Sequence, residues 1–114
     1  MKDDKLYLVH IGECISRIQQ YVEDGREPFL TSTLIQDAVI RNLQILAESS
    51  RRLSDSVKTQ HSEIAWRGIS AFRNILVHGY FGVNLDRVWE VVERELPRLK
   101  NQVEVILREL GDTP

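Results

Sequence analysis

The sequence has little cysteine, no long apolar run and no leader-like start. Its single cysteine, Cys14, has no intrachain disulfide partner and no neighbouring thiol with which to bind zinc, so we interpret it as a packing residue. No apolar segment approaches the ~20 residues that a bilayer span needs. The opening MKDDKLYLVH lacks the basic start and apolar centre of a signal peptide. These absences predict a cytoplasmic protein with no membrane association.

The sequence also lacks an excess of positive charge. Its 15 lysines and arginines stand against 17 acidic residues, which gives a net charge of −2. This excludes the broad basic surface of a typical DNA-binding domain, so contact with nucleic acid would need a local cluster of cations. With 114 residues, 42% of them hydrophobic and 28% charged, the composition is that of an ordinary globular protein. We expect one domain over residues 1–114.

Apolar residues recur every three or four positions through most of the chain, and no strand-like alternation of useful length is present. The pattern predicts an all-α fold, an antiparallel bundle of four helices, with a fifth short helix if the third segment breaks. The region around Pro28 and the polar stretch SDSVKTQHS are interpreted as connections. The first helix is predicted to end near Asp24-Gly25, and the second to run from about Leu34 to Leu53 after N-cap candidates at Thr31 to Thr33. The third is predicted to stop at Gly79. The last is predicted to be capped by Asn84 and to bend at Pro97.

The stretch RNILVHGY places an arginine, a histidine and a tyrosine in an otherwise apolar segment. Arg73 offers a planar cation for phosphate oxygens, His78 a proton carrier near neutral pH and Tyr80 a phenol. The alternative is a surface arginine, a last-turn histidine and a core tyrosine. Five residues advance a regular helix by about 500°, so Arg73 and His78 would not face the same way. A shared site therefore requires a distorted helix end or a second subunit.

The other polar residues give weaker signals. Asp37, Asn42 and Glu48 are interpreted as a solvated or interhelical polar face of the second helix. His10 and His61 have no metal-ligand spacing with an acid or a thiol, so no metal site is predicted. No phosphate-binding loop and no serine–histidine–acid set is present. Four cations could form a basic rim, although such groups are usually solvated surface: Arg51, Arg52, Lys58 and Arg67.

Two segments, IAWRGISAFRNILVHGYFGVNLDRVWEVVERELPRLK and DAVIRNLQILAESSRRL, closely resemble the HepT family of HEPN-fold proteins. The most specific element of the resemblance is an arginine, four residues, a histidine, one residue and a tyrosine, which here are Arg73, His78 and Tyr80. Two departures leave this motif untouched. Ala47-Glu48-Ser49 replaces a frequent glycine–glutamate–alanine stretch, and Ala65 stands where relatives often have proline.

The resemblance implies a homodimeric toxin of a toxin–antitoxin pair that cleaves RNA without a metal ion or other cofactor. Arg73 and His78 match the catalytic positions, in a cleft between the subunits, and Asn74 matches a supporting residue. Tyr80 matches the tyrosine that a minimal nucleotidyltransferase antitoxin AMPylates. The implied substrate is RNA, with transfer RNA as one candidate. The alternative function is a non-catalytic, dimeric interaction module that binds the nucleotidyltransferase.

Overall fold

Four long helices and three short ones make up the part of the chain that the structure describes. The structure is a computed structural model that describes residues 2–78 and 83–111, with the backbone alone at residues 2 and 73–78. The prediction of an all-α bundle is confirmed, whereas the homodimer stays a prediction. The elements are α1 (Lys2–Tyr21), α2 (Arg26–Thr31), α3 (Thr33–Arg51), α4 (Asp55–Gln60), α5 (Trp66–His78), α6 (Leu85–Glu90), a π-helical turn (Val91–Glu95) and α7 (Leu96–Glu109).

The core lies where α1 packs against α3 and α7, and α5 packs against α3 as well. Cys14 is 1% exposed, and burial raises the pKa of its thiol, so its interpretation as a packing residue is confirmed. None of the described helices is long and apolar enough to cross a membrane. The buried positions follow the predicted spacing of three and four: Leu8, Ile11, Ile15 and Ile18 on α1, Val39, Leu43 and Leu46 on α3, and Leu99, Val103 and Ile106 on α7.

Two side-chain caps that the sequence predicted are present. Ser32 Oγ accepts a hydrogen bond from the Ile35 N–H at 3.2 Å and starts α3. Asn84 Oδ1 accepts from the Arg87 N–H at 3.1 Å and starts α6. Each cap satisfies an amide of the first turn that has no partner inside the helix. α1 ends at Tyr21, slightly before the predicted limit, and the following turn closes at Gly25 with φ 98°.

Short helices occupy both regions that the sequence analysis interpreted as connections, so that interpretation was wrong. α2 accommodates Pro28 because its third position needs no intrahelical N–H bond. Phe29 on α2 is fully buried, with its ring centroid 5.6 Å from that of Trp89. α4 begins at a cap formed by Ser54 Oγ and buries Val57. A six-residue helix with one buried side chain shows no repeat that periodicity could detect.

The start of α4 is also tied to the start of α1 by a buried carboxylate. Asp4 is 2% exposed. Its Oδ1 accepts from the Ser54 N–H at 2.8 Å, and its Oδ2 accepts from the Ser54 hydroxyl at 2.7 Å. The same hydroxyl accepts from the Val57 N–H. Asp4 thus positions the capping residue of a helix that lies 50 residues away along the chain.

The irregularity predicted at Pro97 begins one turn earlier. In the π-helical turn Val91–Glu95 the N–H of Leu96 donates to the carbonyl oxygen of Val91, five residues before it. Proline lacks an N–H and its ring crowds the carbonyl four residues earlier, so a wider turn immediately before Pro97 relieves both problems. α7 then continues from Leu96 with Pro97 in its first turn.

Candidate functional site

α5 carries three of the four candidate site residues. Arg73, Asn74 and His78 belong to this helix, which is uninterrupted from Trp66 to His78, so the third apolar segment does not break within that range. The structure describes the backbone alone at these three positions. Tyr80 and the predicted stop at Gly79 lie outside the described residues. The structure therefore gives the order of the three positions along one helix, and contacts between their side chains stay a prediction.

The backbone of α5 bears on the two conditions set for a shared site. Arg73 and His78 were expected to meet only through a distorted helix end or a second subunit. The chain is helical through both residues. On such a helix the two positions are separated by about 7.5 Å along the axis and about 140° around it. Gly79, where the helix end was expected to distort, lies outside the described residues, so a distorted end and a second subunit both stay predictions.

The first half of α5 is held firmly in the fold. Trp66 is 8% exposed, and its indole N–H donates to the His61 carbonyl oxygen at 3.0 Å. Ile69 and Phe72 are partly buried against the core. Arg67 lies on the exposed side of the same turn. The helix that carries the candidate residues is thus fixed by apolar packing at its beginning, well before Arg73.

The turn before α5 is joined to the end of α7 through an imidazole. His61 Nδ1 lies 3.4 Å from Glu63 Oε2, and His61 Nε2 lies 3.1 Å from Glu109 Oε1. The imidazole is 11% exposed, whereas both carboxylates are largely exposed. The His61 carbonyl also accepts the indole bond of Trp66. One residue therefore connects α4, α5 and α7, and its role is to hold α5 in place.

The end of α3 is a closed cluster of charges. Glu48 Oε1 accepts from Arg51 Nη2 at 3.0 Å and from Arg52 Nε at 3.2 Å. Side-chain hydrogen bonds raise the pKa of the Arg52 guanidinium, with the larger contribution from Tyr7 and the next from Glu48. Lys58 Nζ donates to the Arg51 carbonyl oxygen at 3.2 Å. Three cations of the expected basic rim, Arg51, Arg52 and Lys58, therefore have partners within this cluster.

Arg67 differs from the other three cations of the expected basic rim. It is exposed on α5 and makes no ion pair with the residues that the structure describes. Of the other two polar residues noted on α3, Asp37 is exposed. Asn42 is 7% exposed, and its Nδ2 donates to the Ala38 carbonyl at 2.9 Å. The exposure of Asp37 fits the expected solvated face, whereas Asn42 is buried and its hydrogen bond lies within α3.

A groove of about 260 Å³ runs beside α5 and reaches the π-helical turn. Its walls are mainly apolar and include Ile69, Phe72, Val91 and Leu99. Charged residues of both signs stand at its margin, namely Glu63, Glu95, Arg87 and Arg98. Elsewhere in the described ranges, no group of three His, Cys, Asp or Glu side chains is arranged to hold a metal ion. The groove suits apolar groups better than a phosphate.

Comparison with known proteins gives the family. A family model described as "Ribonuclease HepT-like" matches residues 11–106, which includes all of α5. The chain belongs to the HepT-like ribonuclease family.

Similarity to individual HepT-like relatives covers nearly the whole chain. A Methanocaldococcus jannaschii protein, described as a gamma-glutamylcyclotransferase and a candidate RNase, is 41% identical over 110 residues. That match takes in 96% of this chain and 50% of the relative, so the chain spans half of that relative's length. The mRNA nuclease HepT of Shewanella oneidensis is 32% identical over 123 residues, which covers 87% of this chain and 92% of the relative.

The fold is also similar to that of a solved HepT-like structure. The tri-AMPylated Shewanella oneidensis HEPN toxin, in complex with MNT antitoxin, matches with a TM-score of 0.71 and 28% identity. The match covers 93% of this chain and 97% of the toxin chain. The resemblance inferred from the sequence is confirmed at the level of family and fold.

The sequence analysis of this HepT-like chain missed the residues that support α5. His61 was considered only as a metal ligand, and its contact with Glu109 joins residues far apart in the chain. The Asp4–Ser54 pair was not noticed for the same reason. The sequence offered no signal for this pair, because the burial of Asp4 is visible only in the fold.

Proposed function

We propose that this chain is the toxin half of a toxin–antitoxin pair and acts in the cytoplasm as a metal-independent endoribonuclease. In this proposal residues 1–114 form one helical domain, and two copies form a cleft lined by Arg73 and His78 of each. A nucleotidyltransferase antitoxin neutralises the toxin by AMPylating Tyr80. Asn74, next to the catalytic arginine, orients the RNA backbone.

The observation that carries the proposal is the match over 93% of this chain to an AMPylated HEPN toxin bound to an MNT antitoxin. The name of the second relative, mRNA nuclease HepT, supports RNA as the substrate class and gives messenger RNA as a candidate beside transfer RNA. The uninterrupted helix from Trp66 to His78 supports a site completed by a second subunit.

The proposed reaction follows from the chemistry of RNA and of these two side chains. The ribose 2′-oxygen attacks the adjacent phosphorus, and the bond from phosphorus to the 5′-oxygen breaks. The 2′-hydroxyl gives up its proton to a base, and the leaving 5′-oxygen receives one from an acid. His78 transfers protons, and Arg73 stabilises the charge that grows on the phosphate oxygens. The products are a 2′,3′-cyclic phosphate and a free 5′-hydroxyl, with no metal-bound nucleophile required.

The first test is cleavage of RNA by the purified chain in the presence of a chelator. We expect cleavage to continue in EDTA, to leave cyclic phosphate ends and to be lost in His78→Ala. Light scattering would confirm that the variant keeps the assembly state of the wild type. Equal cleavage by a folded His78→Ala protein would overturn the catalytic assignment. RNA left intact by wild type that nonetheless binds the antitoxin tightly would instead favour the interaction-module alternative.

The second test concerns Tyr80. Each AMP adds a phosphodiester charge next to Arg73 and His78, and the added nucleotide competes with RNA for the same arginine. We expect co-expression with the antitoxin to add mass in steps of one AMP and to suppress cleavage, and Tyr80→Phe to abolish the added mass. Added mass that persists in Tyr80→Phe would move the modification to another residue. No added mass on the wild type would contradict AMPylation of this chain.

A further inference from the structure

The position of Arg67 lies on the same side of α5 as the positions of Asn74 and His78. It precedes Asn74 by seven residues and His78 by eleven, which are close to two and three whole helical turns. Because α5 is helical throughout this range, the three positions start from one side of the helix. Arg67 lies about 16 Å along the axis from His78. A group bound there is too far from His78 to share the reacting phosphate.

The surface between Arg67 and Asn74 is open. Gly68 and Ala71 are exposed, and neither has a side chain large enough to cover the helix. A Cβ atom added at Gly68 would meet only the Cβ of Ala65, at 3.7 Å. Gly68 and Ala71 also line the groove described above, so the space beside this part of α5 is not filled by the described residues.

The environment of Arg67 also leaves its charge available. Arg51 and Arg52 share the single carboxylate of Glu48, whereas Arg67 makes no ion pair with the residues that the structure describes. The preceding acid in the chain, Glu63, lies in the turn before α5 with its Oε2 3.4 Å from His61 Nδ1. The Trp66 indole bond to the His61 carbonyl and the burial of Trp66 fix the turn from which Arg67 extends. An immobile backbone lowers the entropy cost of using this cation to bind a ligand.

We propose that Arg67 is a positioning residue that binds an RNA phosphate a few nucleotides away from the bond that is cleaved. This inference rests on the proposed ribonuclease function and adds to it a direction for the bound strand, along α5 from Arg67 to His78. Arg67 touches the substrate outside the reacting atoms, so its loss weakens the binding of long RNA and leaves the chemical step unchanged.

The test compares Arg67→Gln with Arg17→Gln, a matched control that removes an exposed arginine on α1 beside α7. Initial rates of cleavage would be measured over a range of concentrations of a 12-nucleotide RNA and of a dinucleotide. For Arg67→Gln we expect KM for the long RNA to rise about five- to tenfold with kcat unchanged, and the salt dependence of binding to fall by about one phosphate contact. Cleavage of the dinucleotide should match that of wild type. Arg17→Gln should behave as wild type on both.

A second pair of variants tests the direction of the strand. Ala71 is exposed between Arg67 and Asn74, so Ala71→Glu should weaken binding of the long RNA and Ala71→Lys should strengthen it. Light scattering would show whether the variants keep the assembly state of the wild type. Wild-type KM in Arg67→Gln, or an equal loss on the dinucleotide, would overturn the proposal while leaving ribonuclease activity in place. If wild type cleaves no RNA, the proposed function fails, and anisotropy with the same RNA still decides whether Arg67 binds it.

Discussion

The end of α3 and the exposed side of α5 hold arginines in opposite circumstances. On α3, Arg51 and Arg52 share the carboxylate of Glu48, and Arg52 also bonds Tyr7. On α5, Arg67 makes no ion pair with the described residues. The same residue type therefore pairs with a local carboxylate in one place and has none among the described residues in the other. In the proposed ribonuclease, the partners of each arginine as well as the number of arginines determine where a protein with net charge −2 attracts RNA.

Arg73→Lys should have the largest effect, because it alters a cation on α5 at the proposed reaction centre. A lysine keeps the charge and loses the planar fork that binds two phosphate oxygens. We expect the cleavage rate to fall about 100-fold or more, as for the loss of one oxyanion donor. Single-turnover kinetics at saturating protein would measure it. A rate close to that of wild type would contradict bidentate phosphate binding by Arg73.

Asp4→Ala should have the next largest effect, on stability alone. It removes the carboxylate that accepts hydrogen bonds from both the N–H and the hydroxyl of Ser54. Hydrogen bonds to a buried charge predict a loss of about 2–3 kcal/mol in the free energy of unfolding. Urea denaturation would measure it, with the exposed neighbour Asp3→Ala as the control. Equal losses in both variants would show that the pair contributes little.

Arg51→Gln should have the smallest effect. Its ion pair with Glu48 is surface-exposed, and such pairs contribute at most about 1 kcal/mol. We expect a small shift in the urea midpoint and wild-type KM on the 12-nucleotide RNA. A rise in KM comparable with that of Arg67→Gln would break the comparison, because it would show that the paired arginines of α3 also bind RNA.

The long helices could be predicted from the sequence because each buries several residues at a helical period. The caps at Ser32 and Asn84 were predictable as well, since their side chains act on amides only three residues away. α2 and α4 could not be predicted, because each buries a single side chain, Phe29 or Val57. Their helical state comes from packing and capping partners elsewhere in the fold.

The candidate site was predictable in its residue types and only partly in its geometry. Arg73, His78 and Tyr80 were chosen by chemistry and by resemblance, and both kinds of information are local in sequence. The support of α5 by His61 and Glu109 depends on a contact between distant parts of the chain. The pairs of Glu48 with Arg51 and Arg52 are different, because they join residues three and four positions apart on α3 and could have been predicted from their spacing. One sequence contains no direct record of a contact such as that between His61 and Glu109.

The π-helical turn before Pro97 constrains which changes of chain length this protein can tolerate. Removing one residue from Val91–Glu95 would allow an ordinary α-helix to form, so the local structure would survive. The five residues of the π-helical turn give about the same rotation as four residues of an α-helix, so α7 would keep nearly its present orientation to α6. Val103 and Ile106 would still face α1. A one-residue deletion within the turn should therefore leave the core intact, whereas a one-residue deletion in the regular part of α7 before Val103 should rotate these side chains by about 100° and unfold the protein.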